Sequence, residues 1–107
     1  MNLYLGVSTH PGDTLVNLTG ELDRQALEQI SEITDRLDGS RHLTLDLSGL
    51  TFMDSSGLYL LLELRRRTET AGGTLELRGV RGPALRVLEL TGTRGLFTLL
   101  PPLHHAA

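Results

Sequence analysis

The chain predicts an α/β domain built on a mixed β-sheet of four to five strands, with helices packed mainly on one face. Two observations lead there. The hydrophobic period switches back and forth between about 2 and about 3.6 residues along the chain. The segments so defined follow the order strand, strand, helix, strand, helix, strand, helix, strand. Strands that alternate with helices return parallel through crossovers, whereas two strands with only a turn between them pair antiparallel.

Leu3, Leu5 and Val7 alternate with Tyr4, Gly6 and Ser8, which predicts a first strand with one buried face. His10-Pro11-Gly12-Asp13 reads as a turn, because Pro presets one backbone dihedral and Gly accepts positive φ. Leu15 to Leu18 gives a second short strand, and the pair forms a hairpin. From Arg24 onward Leu27, Ile30, Ile33, Thr34 and Leu37 recur at helical spacing, with Glu28, Glu32, Asp35 and Arg36 elsewhere on the wheel. Asp23 is placed to cap that helix and Gly39 to end it. Leu43 to Leu47 alternates again as a third strand. Leu58 to Thr70 predicts a helix that enters the core at its start and reaches solvent at Arg65-Arg66-Arg67, with Gly72-Gly73 as its stop. Thr74 to Arg78 is a fourth strand. Pro83 suits a first helical turn, and Leu85, Leu88 and Glu89 carry a short helix to Thr91-Gly92. Phe97 to Leu100 completes the set as an edge strand before Pro101-Pro102.

One domain spans 1–107, with a core over about 3–100 and a short tail at 101–107. A chain of 107 residues is long enough for one hydrophobic core and too short for two. With 39% hydrophobic and 21% charged residues it falls in the globular range. The net charge of -3 argues against a nucleic-acid binder, which would carry a basic face. Cys is absent, which excludes disulfides, thiolate metal sites and a thiol nucleophile. The start lacks the basic and apolar stretches of a signal peptide, and no apolar run approaches the roughly 20 residues that span a bilayer. The expectation is a soluble cytoplasmic protein without membrane insertion, cofactor or metal.

Asp54-Ser55-Ser56-Gly57 falls between the third strand and the second helix. The first amides of a helix lack internal partners, and the helix dipole places partial positive charge there. Any of Asp54, Ser55 and Ser56 can therefore serve simply as a cap. The functional reading of the same residues is a regulatory serine. A phosphate brings about -1.5 to -2 charges and several acceptor oxygens. Helix-terminal amides can receive those oxygens without disturbing the fold, while the Asp54 carboxylate repels them. A partner surface fitted to a neutral hydroxyl is disrupted by the added charge.

Leu18-Thr19-Gly20-Glu21-Leu22-Asp23 together with Leu45 to Leu58, which ends Phe52-Met53-Asp54-Ser55-Ser56-Gly57-Leu58, resembles the pattern of STAS-domain anti-sigma factor antagonists. Gly72-Gly73 before a strand and Leu88-Glu89-Leu90-Thr91-Gly92 near the end extend the resemblance over nearly the whole chain. The resemblance implies the STAS fold and a partner-switching role in bacterial transcription regulation. The unmodified protein would bind an anti-sigma factor that is itself a serine kinase of the GHKL type, freeing the sigma factor. The kinase would phosphorylate the serine after the motif aspartate, here Ser55, and a PP2C-type phosphatase would reset it. Asp54, Ser56 and Gly57 would shape the loop, and Asp23 would lie beside it and contribute to docking. Such a protein is a kinase substrate rather than an enzyme. The resemblance leaves a second reading, a constitutive STAS subunit of an ABC-type membrane transport complex without a phosphorylation switch. Two departures stand out. Tyr59, which joins the partner-binding candidates, occupies a position where the family often has a small residue. The tail after Leu100 is short and broken by Pro101-Pro102, where the family usually carries a last helix.

The remaining motifs read as ordinary structure. Arg65-Arg66-Arg67 suits the solvated last turns of a helix, complementing its dipole. His104-His105 reads as tail. His10 and His42 show no carboxylate or histidine companion at metal-ligand spacing. Gly79-Val80-Arg81-Gly82 lacks the spacing and the lysine of a phosphate loop and reads as a turn. The Gly-x-Ser-x-Gly elbow of a serine hydrolase is missing, since Met occupies position 53. Edge strands leave a monomer or weak dimer as the expected state.

Overall fold

Pro11-Gly12 makes the first chain reversal. In the computed structural model, which describes residues 2–30 and 41–102, Gly12 has φ of 83°, the positive value that the third position of a type II turn requires after Pro. This two-residue turn joins strands β1 (Leu3–His10) and β2 (Asp13–Leu22), paired antiparallel from Leu3↔Gly20 to His10↔Asp13. β2 then pairs in parallel with β3 (His42–Met53), β3 with β4 (Thr74–Arg78), and β4 with β5 (Thr98–Leu100). The sheet therefore has five strands in the order β1-β2-β3-β4-β5. Its helices are α1, of which residues 26–30 are described, α2 (Ser55–Thr70) and α3 (Gly82–Thr91), and a 3-10 turn at Arg94–Leu96 precedes β5.

Alternation assigns the two faces. Val16 and Leu18 lie in register with the face that carries Leu43, Leu45, Leu47, Leu75 and Leu77, all buried. Ala26 and Ile30 of α1, Leu58, Leu61 and Leu64 of α2, and Ala84 and Leu88 of α3 join them in one core. The opposite face presents His42, Thr44, Asp46, Glu76 and Arg78, and no described helix covers it. The sheet is thus mixed and covered on one face, as the sequence predicts.

Two strands run well past their predicted ends. β2 starts before Leu15 and continues through Gly20 to Leu22, and β3 continues beyond Leu47 to Met53. Alternation in sequence stops at Leu18 and at Leu47 because register shifts interrupt the β2–β3 ladder between Asn17 and Thr19 and between Gly20 and Glu21. A shift of that kind moves side chains to the other face and hides the strand from a period-two reading. Gly20 makes one of these irregularities possible: its φ is 109°, and a β-carbon there would sit 2.3 Å from the Asn2 carbonyl oxygen.

Asp23 caps α1 as expected, its Oδ1 accepting from the amides of Gln25 (3.0 Å) and Ala26 (3.2 Å). The expected helix positions Ile33, Thr34 and Leu37, the stop at Gly39 and the His104-His105 tail lie outside the described residues. α2 begins three residues earlier than predicted, at Ser55, and ends at Thr70, with Ala71 as its C-cap and Gly72 at φ of 82°. α3 carries Pro83 in its first turn and ends on left-handed Gly92. Exposed Arg66 pairs with Glu63, and half-buried Arg65 lies 3.4 Å from Glu69, so both arginines balance acids of their own helix.

His42, without a companion at metal-ligand spacing in sequence, finds one across the sheet. Its Nε2 lies 2.9 Å from Glu76 Oε1, and its Nδ1 bonds the Thr74 hydroxyl. Both partners are on β4, 32 and 34 positions along the chain, where the parallel register places Thr74 directly opposite His42. Sequence spacing cannot display a cross-strand neighbour. Among the described residues no group of three or more potential metal ligands forms.

Candidate functional site

The site is assembled where β2 and β3 end side by side, with Leu22 opposite Met53 in the parallel register. The residues that follow them, Asp23 and Asp54, each turn the chain into a helix by the same device. Asp54 is the extended N-cap of α2, and its Oδ1 accepts from the amides of Ser56 (2.9 Å) and Gly57 (3.3 Å). The cap position belongs to Asp54, so Ser55 is left as the first helical residue, exposed, with no cap to provide. Ser56 is half-buried behind it.

Gly57 holds the two chain ends together. A β-carbon there would lie 2.8 Å from Met53 Cγ, 3.0 Å from the Leu22 carbonyl oxygen and 3.1 Å from Leu22 Cγ. Only glycine lets the first turn of α2 rest directly on the backbone of β2. That contact brings the loop after β2 alongside the start of α2. Arg24, Leu27, Ser55, Ser56 and Tyr59 consequently line one shallow surface recess.

The six candidate residues divide into two groups. Ser55, Ser56 and Tyr59 meet at the recess, and Tyr59 projects from the first turn of α2 with 68% of its surface exposed. Asp54, Gly57 and Asp23 stand behind it as support. Asp23 is buried, at 6% exposure, with Oδ1 on the start of α1 and Oδ2 enclosed without a hydrogen-bond partner. Arg24 and Leu27 enter the sequence reading only as the start and an apolar position of the first helix, not as site residues. Arg24 follows the cap residue Asp23 directly, and that adjacency was the one available signal that its side chain would flank Ser55. It places a cationic group in the same recess as the serine hydroxyl.

Residues 5–101 match the family model described as Mlab, STAS domain. The chain belongs to the STAS family. Relatives extend over nearly its whole length. An anti-sigma F factor antagonist of Paenibacillus polymyxa is 34% identical over 94% of this chain and 86% of its own. Among solved structures, an anti-sigma factor antagonist from Mycobacterium paratuberculosis superposes with a TM-score of 0.81 at 28% identity, covering 95% of this chain and 88% of the other. The Bacillus cell fate determinant SpoIIAA in its phosphorylated form gives a TM-score of 0.74 at 25% identity, with 94% and 93% coverage. The five-stranded mixed sheet is the STAS fold of these neighbours. No helix among the described residues is long and apolar enough to cross a membrane.

Proposed function

We propose that this STAS protein is an anti-sigma factor antagonist whose unmodified form binds an anti-sigma factor and whose binding is switched off by phosphorylation of Ser55. The observation that carries the reading is the division of labour at the start of α2. Asp54 does the capping, so the exposed Ser55 hydroxyl has no structural duty there and is open to modification. The full-length likeness to named antagonists supports the partner class, and the existence of a phosphorylated form of SpoIIAA supports the chemistry.

The switch works by charge rather than by refolding. Phosphate at the first position of α2 gains the favourable end of the helix dipole, which offsets repulsion from Asp54. The same doubly negative group would be desolvated and unpaired in an interface built around a hydroxyl, and the complex dissociates. Asp54, Ser56 and Gly57 shape the loop, Asp23 positions the neighbouring turn, and Tyr59 contributes contact area. The anti-sigma factor is read as a GHKL-type serine kinase that modifies Ser55 with Mg-ATP, and a PP2C-type phosphatase removes the phosphate. The chain itself is a regulated binding protein acting in the cytoplasm, a substrate of these enzymes.

Site-resolved mass spectrometry of the protein from its own cells tests the modification, and pull-down with Ser55→Ala identifies the kinase. Ser55→Ala should bind without being modified, and Ser55→Asp should bind at least tenfold more weakly. An Ser55→Asp variant that held the anti-sigma factor as tightly as wild type would sink the switch. Absence of phosphate under all growth conditions, with a co-purifying transport ATPase, would favour the constitutive subunit reading.

A further inference from the structure

The two edges of the sheet are built differently. β5 is three residues long and runs into Pro101-Pro102, which lack backbone N–H groups, so that edge offers little to another strand. β1 is eight residues long, contains no Asp, Glu, Lys, Arg or Pro, and pairs with β2 without a bulge. All of it except Leu3 and Leu5 is exposed, including Tyr4 at 65% and Val7 at 50%. Among the described residues, none of the usual protections of an edge strand is present.

The hydrogen-bonding parity of β1 can be worked out. The amide of Glu21 donates to the Asn2 carbonyl oxygen at 2.9 Å, so Asn2 directs its polar groups toward β2. In an antiparallel ladder both groups of one residue point the same way, and the direction alternates. Tyr4, Gly6, Ser8 and His10 therefore bond β2, while Leu3, Leu5, Val7 and Thr9 direct N–H and C=O out of the sheet. The two-residue turn agrees, since it requires His10 and Asp13 to be a bonded pair. At the outer edge the Leu3 carbonyl accepts from Gln29 Nε2 at 3.4 Å. Leu5, Val7 and Thr9 are left, a set symmetric about Val7.

We infer that β1 is a self-complementary interaction surface and that its partner is β1 of a second copy of this chain, paired antiparallel about a two-fold axis through Val7. Leu5 then faces Thr9 of the copy, Val7 faces Val7, and each opposed pair exchanges two main-chain hydrogen bonds. The axis is normal to the sheet, so the helices of both copies lie on one side and the two sheets merge into one. Leu5 and Val7 share the face of buried Leu18 and Val16, opposite them on β2, so the junction extends the hydrophobic core across the axis. The absence of charge on β1 removes the like-charge repulsion that would oppose pairing with an identical strand. One strand pair covers less than the roughly 800 Å² per partner of a standard interface, so the dimer is weak and concentration-dependent.

The test is sedimentation equilibrium of the whole chain up to about 1 mM, together with amide hydrogen exchange at low and high concentration. Wild type should dimerise, and the amides of Leu5, Val7 and Thr9 should gain protection with concentration while those of Gly6 and Ser8 are protected throughout. Val7→Lys should lower the association constant at least tenfold. Val7→Pro removes an outward N–H that the β1–β2 ladder does not use and should do the same, which guards against an effect of charge alone. A chain that stays monomeric at the highest concentration, a dimer indifferent to both variants, or protection without alternation along β1 would overturn the assignment.

Discussion

Gly57 has no room for a β-carbon, and the atoms that exclude one are the Leu22 backbone oxygen and the enclosed side chains of Leu22 and Met53. Gly57→Ala should therefore force apart the ends of β2 and β3 and cost about 1–3 kcal/mol in urea unfolding, the range of an overpacked core. Ser55→Ala removes an exposed hydroxyl that neither caps nor fills, and should leave stability within about 0.5 kcal/mol of wild type. A stability loss as large as that of Gly57→Ala would mean that Ser55 is structural after all, and the proposed switch would lose its main support. The contrast between these two residues, two positions apart, was legible only in part. The motif marked both residues, but the need for glycine at 57 comes from nearby Met53 together with Leu22, which is far away in sequence.

At the scale of elements, α2 depends on its ends. Asp54→Ala deletes both side-chain bonds to the first amides of α2 and should cost about 1 kcal/mol, with Asp54→Asn recovering most of the loss because its amide oxygen can still accept. Circular dichroism with chemical denaturation measures both. The exposed pair farther along responds to pH. The Arg66 guanidinium, hydrogen-bonded to Glu63, holds that carboxyl below its ordinary range. A lowered folded pKa means that the pair's contribution is present above the unfolded carboxylate pKa and lost as pH falls through the lower folded value. Glu63→Gln should therefore slightly shrink the stability difference between neutral and strongly acidic solution, more at low salt than at high salt. The C-terminal end of α2 could be anticipated from Gly72-Gly73, whereas its start at Ser55 lies three residues before the apolar run that marked the helix in sequence. The Arg66–Glu63 pairing follows from helical spacing of three residues.

For the molecule as a whole, stability resides in the single leucine-rich layer between the sheet and its helices. Leu61 on α2 and Leu77 on β4 are both at 0% exposure, and either change to Ala should cost about 2–5 kcal/mol. Leu90, at 75% exposure, should be replaceable by Ala within about 0.5 kcal/mol, although in sequence it sits beside fully buried Leu88 in the same helix. Thermal and urea unfolding of the three variants would check that order, and a Leu90 effect equal to that of Leu61 would contradict the placement of the core.

The sequence by itself determined the identity and order of the elements, the turn at Pro11-Gly12, the cap at Asp23, and a cap for α2 somewhere among Asp54, Ser55 and Ser56; the structure gave that cap to Asp54. These are written in local chemistry: periodicity, turn residues and capping carboxylates act within a few positions of one another. Tertiary structure alone decided how far β2 and β3 run, that His42 meets Glu76, that Arg24 shares a recess with Ser55, and that β1 is left as a bare edge. Each of those depends on which strand lies beside which and in what register. Register is fixed by packing across the whole sheet, where residues tens of positions apart become neighbours, and no local pattern records it.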